Sequence, residues 1–350
     1  MECLERFQKY ILGIDTSNYK TSLALIGRED IISDRRKFLR VKQGERGLRQ
    51  SDALFQHIQN LPELFDELSE AFGETVSRRD IAAVAYSSRP RPVAGSYMPC
   101  FLAGASFGRS LASMLDVPAI SFSHQEGHIE AIRAFTEGID TGEFIACHFS
   151  GGTCEILRIG PAEKTSRKEH KNDINKGYHL ISGENTIYTI DRIGGSKDIS
   201  FGQVLDRAGV EMGFGFPCGQ SLDEIAVRTE KGSRILTPVK VQDCRCNLSG
   251  IDTQIRNRLQ DTDRAGRPAL IREIFEKISD AVVRMLTQAS EKSGLCDIVM
   301  SGGVSTSGFI RAAVREPLAK KRIRVSFDDR NLSADNAVGT ALLGGKYIWD

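Results

Sequence analysis

The sequence predicts an α/β protein built on a strand–turn–strand platform that occurs twice. Apolar runs at residues 10–14 and 21–26 flank a polar turn, and the same arrangement returns at residues 143–149 and 154–159. Around these platforms, segments with helical apolar spacing alternate with short apolar runs that are typical of buried strands. We therefore expect an internal duplication in which helices cover each hairpin. For the first platform, a plain hairpin turn without functional residues remains the alternative.

The remaining elements follow from apolar periodicity and from turn residues. Short apolar or β-branched runs predict strands at residues 31–37, 81–86, 117–122, 178–181, 186–190, 298–300 and 323–327. Apolar residues three or four positions apart predict helices at residues 44–65, 101–115, 202–208, 221–229, 268–293, 307–320 and 335–347. Pro62 is expected to kink or restart the first of these helices, because proline removes a backbone donor.

Two histidines four residues apart, His124 and His128, follow the predicted strand at residues 117–122. On a helix this spacing places both imidazoles on one face, with Cβ atoms about 5–6 Å apart, so that a single metal ion can bind both. A third ligand must come from elsewhere in the chain, and the best candidate is Asp335. The alternative is a structural or incidental pair, since the chain has six histidines that can fall close together by chance.

The stretch around these histidines differs from the H-E-x-x-H motif of zinc proteases. In that motif the glutamate directly follows the first histidine and acts as general base. Here Gln125 holds that position, and Glu126 lies about 200° around the helix from His124. Because Glu126 cannot reach the same water, the sequence argues against a metalloprotease.

The charge balance gives no sign of a nucleic-acid or membrane surface. Lysine and arginine number 47 against 46 acidic residues, which leaves a net charge of +1. Any RNA contact must therefore be local or supplied by a partner. The charged cluster at residues 164–171 is expected to be a solvated loop, with an RNA or partner contact as the alternative.

The cysteine pattern and the apolar runs predict a cytoplasmic protein. Eight cysteines are scattered without the spacing of a disulfide framework, which suits a reducing compartment. The pair in Cys244-Arg245-Cys246 has no second pair near it, so loop cysteines are favoured over a metal site. The charged N-terminus and the absence of an 18-residue apolar run predict neither a signal peptide nor a membrane span.

Glycine-rich turns are the candidate anion-binding sites. The loop at residues 213–219 is not a dinucleotide-binding turn, and the chain has no Walker A lysine motif. By contrast, the Ser-Gly-Gly turns at residues 150–152 and 301–303 expose backbone N–H groups after a predicted strand. Such turns can bind a phosphate or a nucleotide.

Eight short motifs in a fixed order resemble the TsaD/Kae-type family of tRNA threonylcarbamoyladenosine transferases, once described as glycoproteases. The motifs are residues 13–17 (GIDTS), 124–128 (HQEGH), 149–152 (FSGG), 202–207 (GQVLDR), 216–219 (FPCG), 247–251 (NLSGI), 301–304 (SGGV) and 334–337 (ADNA). The resemblance implies the actin-like ATPase and sugar-kinase (ASKHA) architecture, with two ribonuclease-H-like lobes around a nucleotide cleft. The N-terminal lobe is expected to be residues 1–136, completed by a C-terminal helix at 335–350, and the C-terminal lobe residues 137–334.

Carried over residue by residue, the resemblance implies one iron or zinc ion held by His124, His128 and Asp335. Two imidazoles and a carboxylate with open positions also suit such an ion chemically. Asp15 and Ser150 are the expected catalytic residues, Asp15 by orienting the metal-bound group. The residues implied to bind the adenylate are Ser150, Gly151, Gly152, Thr153, Asp206, Gly219, Gly302, Gly303 and Ser307.

The implied reaction is acyl transfer from a threonylcarbamoyl-adenylate to an adenosine amine of tRNA. The metal acts as Lewis acid, turn N–H groups stabilise oxyanion charge, and AMP departs. Partner proteins are expected to take part.

The chain departs from the family pattern at several expected contacts. The family's first turn usually continues Cys-Asp-Glu-Thr, whereas this chain has Asn18-Tyr19-Lys20-Thr21, which makes the local charge positive. Thr153 replaces a histidine, and Ser307 replaces the asparagine that contacts adenosine. These departures leave two alternatives open: a carbamoyl transferase acting on a small molecule, and a non-catalytic metal- and nucleotide-binding paralogue that works in a complex.

Overall fold

The computed structural model describes residues 9–17, 19–41, 48–70, 76–136, 138–139, 142–162, 186–328, 330, 332 and 335–349. Its strands are β1 Tyr10–Thr16, β2 Lys20–Ile26, β3 Ile31–Phe38, β4 Ile81–Arg89, β5 Ala119–Ser123, β6 Phe144–Phe149, β7 Cys154–Pro161, β8 Tyr188–Ser196, β9 Val241–Gln242, β10 Arg245–Cys246, β11 Asp297–Ser301 and β12 Arg324–Phe327. Its helices are α1 Gln50–Ser69, α2 Phe101–Leu115, α3 His124–Arg133, α4 Phe201–Glu211, α5 Gly219–Arg228, α6 Ser249–Asp261, α7 Arg267–Ser293, α8 Gly308–Ala319 and α9 Val338–Trp349. Short 3₁₀ helices lie at Arg78–Asp80 and Gly303–Thr306.

The chain divides into two compact units. Unit 1 takes in the described residues between Met1 and Phe135, between Pro161 and Tyr188, and between Asp335 and Asp350. Unit 2 takes in those between Thr136 and Gly160 and between Thr189 and Ala334.

Unit 1 is built on a five-stranded sheet in the order β3-β2-β1-β4-β5. The first three strands form an antiparallel meander, and β4 and β5 run parallel to β1. The carboxyl ends of β1, β4 and β5 therefore meet at one edge of the sheet. Asp15, near the end of β1, and His124, directly after β5, both lie at this edge, where α/β folds place their functional residues.

The two faces of this sheet carry different helices. Ile14 and Thr16 of β1 contact Gly104 of α2, on the face that also packs against α1. The alternate residues face α9, because a Cβ on Gly13 would lie only 2.8 Å from Ala341 Cβ. Small residues at this contact let α9 approach the sheet closely. Asp15, two positions after Gly13, consequently lies on the α9 face.

Unit 2 has a seven-stranded sheet in the order β12-β11-β6-β7-β8-β10-β9. Its β6–β7 pair is antiparallel, and β11 and β12 run parallel to β6. Five of its strands therefore repeat the order seen in unit 1, which confirms the expected duplication. The core of unit 2 packs α4, α5, α7 and α8 against residues such as Phe149 and Ile156.

Most predicted elements are present, and the exceptions have physical reasons. Helix α1 runs without interruption through Pro62, so the predicted restart there is wrong. Helix α6 was not predicted because it is largely polar, with only a sparse apolar stripe that includes Ile251 and Ile255. The strands β9 and β10 were also missed, since two residues are too few to show a periodicity. The predicted strand at residues 178–181 lies outside the described residues.

The closing helix begins later than predicted. Asp335 was expected in its first turn, but α9 starts at Val338. The Asn336 side chain accepts a hydrogen bond from Gly339 N at 3.2 Å and so satisfies a donor of the first turn. Asp335 therefore stands before the helix. Among the helices of the described residues, none combines the length and apolar character that a membrane span requires.

Candidate metal centre

Helix α3 begins with a capping box that fixes the direction of both histidines. Ser123 Oγ accepts a hydrogen bond from Glu126 N at 3.3 Å, and Ser123 N donates to Glu126 Oε2 at 3.1 Å. These two bonds satisfy donors that a helix N-terminus leaves open. His124 becomes the first helical residue, and His128 follows one turn later on the same face.

Glu126 is fully engaged away from the histidines. It is buried, and its second oxygen accepts hydrogen bonds from Thr186 Oγ1 at 2.7 Å and Ile187 N at 3.0 Å. Its role is thus to anchor the start of α3. This is the orientation that helix geometry predicts, and it leaves Glu126 unable to serve as a base beside the imidazoles.

The two histidines and Asp335 converge within unit 1. His128 Nε2 lies 3.2 Å from Asp335 Oδ1, and His124 Nε2 lies 3.5 Å from the same oxygen. The imidazole rings stand edge to face, with centroids 4.3 Å apart. One ligand atom from each of the three residues lies within 4.8 Å of the others.

Asp15 decides which nitrogen of His124 faces this cluster. Its Oδ1 lies 2.9 Å from His124 Nδ1, so Nδ1 is occupied and Nε2 points towards Asp335. In metal sites the second nitrogen of a ligand histidine is commonly hydrogen-bonded to a carboxylate, which fixes the orientation and the tautomer of the ring. Asp15 is completely buried, and its Oδ2 has no hydrogen-bond partner among the described residues.

Electrostatics within the cluster favour charged carboxylates. Burial raises the pKa of Asp335, but the hydrogen bonds and charges of His124 and His128 outweigh it and hold this pKa well below its usual range. In Asp15 burial is likewise outweighed by His124, and the pKa is lowered. Burial lowers the pKa of His124, yet Asp15 and Asp335 raise it to about 10.

The donor set fits a divalent cation. Metal–nitrogen distances of about 2.0–2.1 Å place the ligand atoms of one tetrahedral ion roughly 3.3 Å apart. The separations of 3.2 and 3.5 Å at Asp335 Oδ1 are close to this value, and the third separation is no more than 4.8 Å. Two imidazoles and one carboxylate that leave positions open suit zinc or iron.

The predicted adenylate-binding residues all lie in unit 2. In the turn after β6, Ser150 Oγ accepts hydrogen bonds from Gly152 N at 3.3 Å and Thr153 N at 3.0 Å. These two amides are therefore engaged within the turn. Ser200, the N-cap of α4, donates to Gly151 O at 2.8 Å and holds the turn against that helix.

Asp206 and the glycine turn at residues 301–303 both lie close to the turn at residues 150–152. Asp206 Oδ1 accepts from Cys218 N, directly before Gly219, at 2.8 Å, and Oδ2 lies 3.8 Å from the place that a Cβ on Gly151 would occupy. Burial raises the pKa of Asp206. Gly302 has φ +89°, and a Cβ there would lie 2.4 Å from the Phe149 carbonyl oxygen. A Cβ on Gly303, the next residue, would meet no atom within 4 Å.

Ser307 serves as the N-cap of α8. Its Oγ accepts from Ile310 N at 3.0 Å and donates to Asp223 Oδ1. Asp223 also accepts from Gly308 N at 2.9 Å. The side chains of Ser307 and Asp223 are thus both hydrogen-bonded at the start of α8. The sequence reasoning missed Asp223, because no local pattern links it to Gly308, which lies 85 positions later.

A second group missed by the sequence reasoning supports α3 from its other side. The buried Glu130 accepts from Arg133 at 2.8 and 2.9 Å, from Lys346 of α9 at 3.2 Å and from the Tyr188 hydroxyl. The Glu130–Arg133 spacing was a local signal for part of this group. Lys346 and Tyr188 could not have been assigned from spacing.

The five-strand order that the two sheets share is that of the actin-like ATPase and sugar-kinase class of folds, to which the chain belongs. Solved structures are similar over almost the whole chain. HypF from T. kodakarensis has 14% identity and a TM-score of 0.56, with 98% of this chain and 48% of that one covered. Component A of the Acidaminococcus fermentans (R)-2-hydroxyglutaryl-CoA dehydratase has 16% identity and a TM-score of 0.52, with 98% and 100% covered. This chain thus spans about half of HypF but all of component A.

Within this class the sequence points to one family. The model of the TsaD family, described as tRNA N6-adenosine threonylcarbamoyltransferase, matches residues 39–181 and 177–342. The chain therefore belongs to the TsaD family, a family of transferases. His124, His128 and Asp335 lie inside the matched residues, whereas Asp15 lies before them.

Proposed function

We propose that this protein is a metal-dependent transferase that moves a threonylcarbamoyl, or related carbamoyl, group from its adenylate to an adenosine amine of tRNA. The observation that carries the proposal is the convergence of His124, His128 and Asp335 in a chain of the TsaD family. A donor set of this kind leaves positions open on the ion for a substrate oxygen. We propose iron or zinc as the ion and partner proteins as carriers of part of the tRNA contact.

The residues of the chain have separate parts in this proposal. A divalent ion held by the three ligands would supply Lewis-acid polarisation of the acyl carbonyl. Asp15 keeps His124 in the tautomer that presents Nε2. Ser150 orders the turn proposed to bind the adenylate phosphate, and Asp206 lies beside it.

In the transfer itself, the adenosine nitrogen forms a bond to the carbamoyl carbon as the bond from that carbon to the phosphate oxygen breaks. AMP leaves with the bonding electrons, and the amine proton passes to solvent. Because nitrogen attacks the adenylate directly, no side-chain nucleophile is required.

The test is transfer with purified components. The metal-loaded protein, with its partner proteins, is incubated with threonylcarbamoyl-adenylate and unmodified tRNA, and the nucleosides are quantified by mass spectrometry. We expect threonylcarbamoyladenosine to form with the wild-type protein. The His128→Ala variant, which lacks one proposed ligand, should form at least ~100-fold less, because a metal site that loses a ligand loses both affinity and geometry.

Deletion of the gene should correspondingly remove the modified nucleoside from bulk tRNA. Consumption of the adenylate with unmodified tRNA would instead indicate a small-molecule acceptor. Bound metal and nucleotide without turnover, even with partners present, would indicate a non-catalytic paralogue.

A further inference from the structure

Lys20, the first residue of β2, is a buried lysine on the metal-site face of the unit 1 sheet. The residue as a whole is only 8% exposed. Opposite residues of paired strands share a face, and alternate residues of one strand do so as well. Asp15 pairs with Ser22, and Ser22 lies two positions after Lys20. Lys20 and Asp15 therefore lie on the same face, at the sheet edge where α3 begins.

The ammonium group of Lys20 has no hydrogen-bond or ion-pair partner among the described residues. It lies 4.5 Å from the ring centroid of Phe38, the residue opposite it on β3. The nearby Asp34 is already held by Arg36, which donates to its two oxygens at 2.9 and 3.1 Å. An ammonium whose contact among the described residues is an aromatic ring retains donors that a bound anion can satisfy.

The charge of a proposed metal ligand acts on this ammonium. Burial lowers the pKa of Lys20, and the strongest opposing influence is the negative charge of Asp335. Once a divalent ion is bound, its charge cancels those of Asp15 and Asp335. Lys20 then gives the site one surplus positive charge, which suits a substrate with one negative charge near the ion.

We propose that Lys20 binds the carboxylate of the acyl group that the enzyme transfers. The inference rests on the proposed function, since a threonylcarbamoyl group carries one carboxylate only three bonds from its carbamoyl carbon. An ammonium on the sheet face that carries Asp15 can meet that carboxylate when the carbamoyl oxygen faces the ion. Lys20 lies before residue 39, where the family match begins, so the proposed contact belongs to the part of the chain that the match does not cover.

The test compares two small ligands that differ in one charge. N-carbamoyl-L-threonine carries the carboxylate, whereas N-carbamoyl-L-threoninamide has a neutral amide in its place. Each is titrated into the zinc-loaded full-length protein by calorimetry, and the cobalt-loaded protein gives a visible-spectrum check of the same site. A charge-assisted hydrogen bond makes the carboxylate bind about 10- to 100-fold tighter than the amide in the wild-type protein.

The Lys20→Met variant should lose most of this preference, and Lys20→Arg should keep part of it. Removing the positive charge should also tighten zinc binding by about 3- to 10-fold, since a cation no longer repels the ion. A damaged fold would weaken zinc and ligand binding together, so the opposite signs separate a lost contact from a lost structure. The matched control is Lys37→Met. Lys37 pairs with Thr21 on the other face of the sheet and bonds Glu63, and its substitution should change neither quantity.

Three outcomes would overturn the proposal. The first is an unchanged carboxylate preference in Lys20→Met, and the second is no preference in the wild-type protein. The third is a Lys20→Met variant that loses affinity for AMP and keeps its affinity for N-carbamoyl-L-threonine, which would assign Lys20 to the phosphate. The titration reads binding alone, so it is independent of the tRNA assay. Carboxylate binding through Lys20 without tRNA modification would remove the proposed acceptor, whereas normal tRNA modification by Lys20→Met would remove only the role of Lys20.

Discussion

A single hydrogen bond between Asp15 and His124 joins the first strand of unit 1 to the proposed metal site. Because Asp15 occupies Nδ1, His124 can offer only Nε2 to an ion. The bond also places a negative charge behind the imidazole, which increases its strength as a ligand. In the proposed site Asp15 would therefore position a ligand, and substrate need not touch it.

Replacing Asp15 by asparagine should weaken metal binding while leaving all three ligands in place. An amide has the same shape but lacks the negative charge, and its N–H₂ group can face Nδ1 and change the tautomer. We expect zinc affinity to fall about 10- to 100-fold, the range found for partners of metal-bound histidines. Competition with a fluorescent chelator measures the change.

The exposed Asp52 in the first turn of α1 offers a control for this substitution. Asp52→Asn makes the same chemical change in the same unit and should leave zinc affinity unaltered. Equal affinity of Asp15→Asn and the wild-type protein would show that His124 is oriented by its surroundings without help from Asp15.

At the scale of elements, the site depends on how closely α9 crosses α3. A Cβ on Gly339 would lie 1.8 Å from the Gly127 carbonyl oxygen. Gly339 stands four residues after Asp335, and Gly127 directly precedes His128. The closeness of two backbones thus brings ligands together that lie 207 residues apart in the sequence.

Adding a single methyl group at this crossing should damage both stability and metal binding. In Gly339→Ala the new Cβ meets backbone, which cannot move aside as a side chain can. We expect the free energy of unfolding to fall by about 3 kcal/mol, the upper part of the range for overpacking. Zinc affinity should fall as well, because Asp335 shifts with α9. Urea unfolding and chelator competition measure the two effects.

Helix α6 supplies the matched control. Gly250 lies in this helix, and a Cβ there would meet no atom within 4 Å. Gly250→Ala should therefore leave zinc affinity unchanged and raise stability slightly, by about 0.4–1 kcal/mol. If both alanine variants behaved alike, the crossing of α3 and α9 would not govern the site.

How much of the site the sequence could predict depended on the range of each interaction. The spacing of His124 and His128 was sufficient to place them on one helical face, because helix periodicity is local. No spacing could assign Asp335, which was implied by the resemblance to a family. The hydrogen-bond partner of Asp15 and the burial of Lys20 could not be predicted without knowing how β1, β2 and β3 pair. That pairing sets the face on which each side chain lies.

The fold was more predictable than the site, since apolar periodicity determines most of its elements. The strand–turn–strand pattern that occurs twice in the sequence predicted the duplication, and the two sheets have five strands in the same order. Prediction failed where periodicity was weak or where tertiary packing decides the outcome. The sparse apolar stripe of α6 and the uninterrupted passage of α1 through Pro62 illustrate these two cases.

At the scale of the whole molecule, each unit has its own apolar core, and all three proposed ligands belong to unit 1. An ion that binds only the folded form of unit 1 stabilises it by about 2.7 kcal/mol when its free concentration is 100 times the Kd. Amide hydrogens that exchange through unfolding of unit 1 should then exchange roughly 100-fold more slowly, because exchange follows the free energy of opening.

We therefore expect zinc to slow hydrogen exchange in unit 1 and to leave the core of unit 2 unaffected. Mass spectrometry measures the exchange rates of peptides from β1, β4 and α2 of unit 1 and from α7 of unit 2, once with zinc present and once with a chelator. The Asp335→Asn variant should show no slowing in either unit, since it lacks a ligand. Equal slowing in α7 would show that the two units unfold as one cooperative body, and slowing confined to α7 would place the ion outside unit 1.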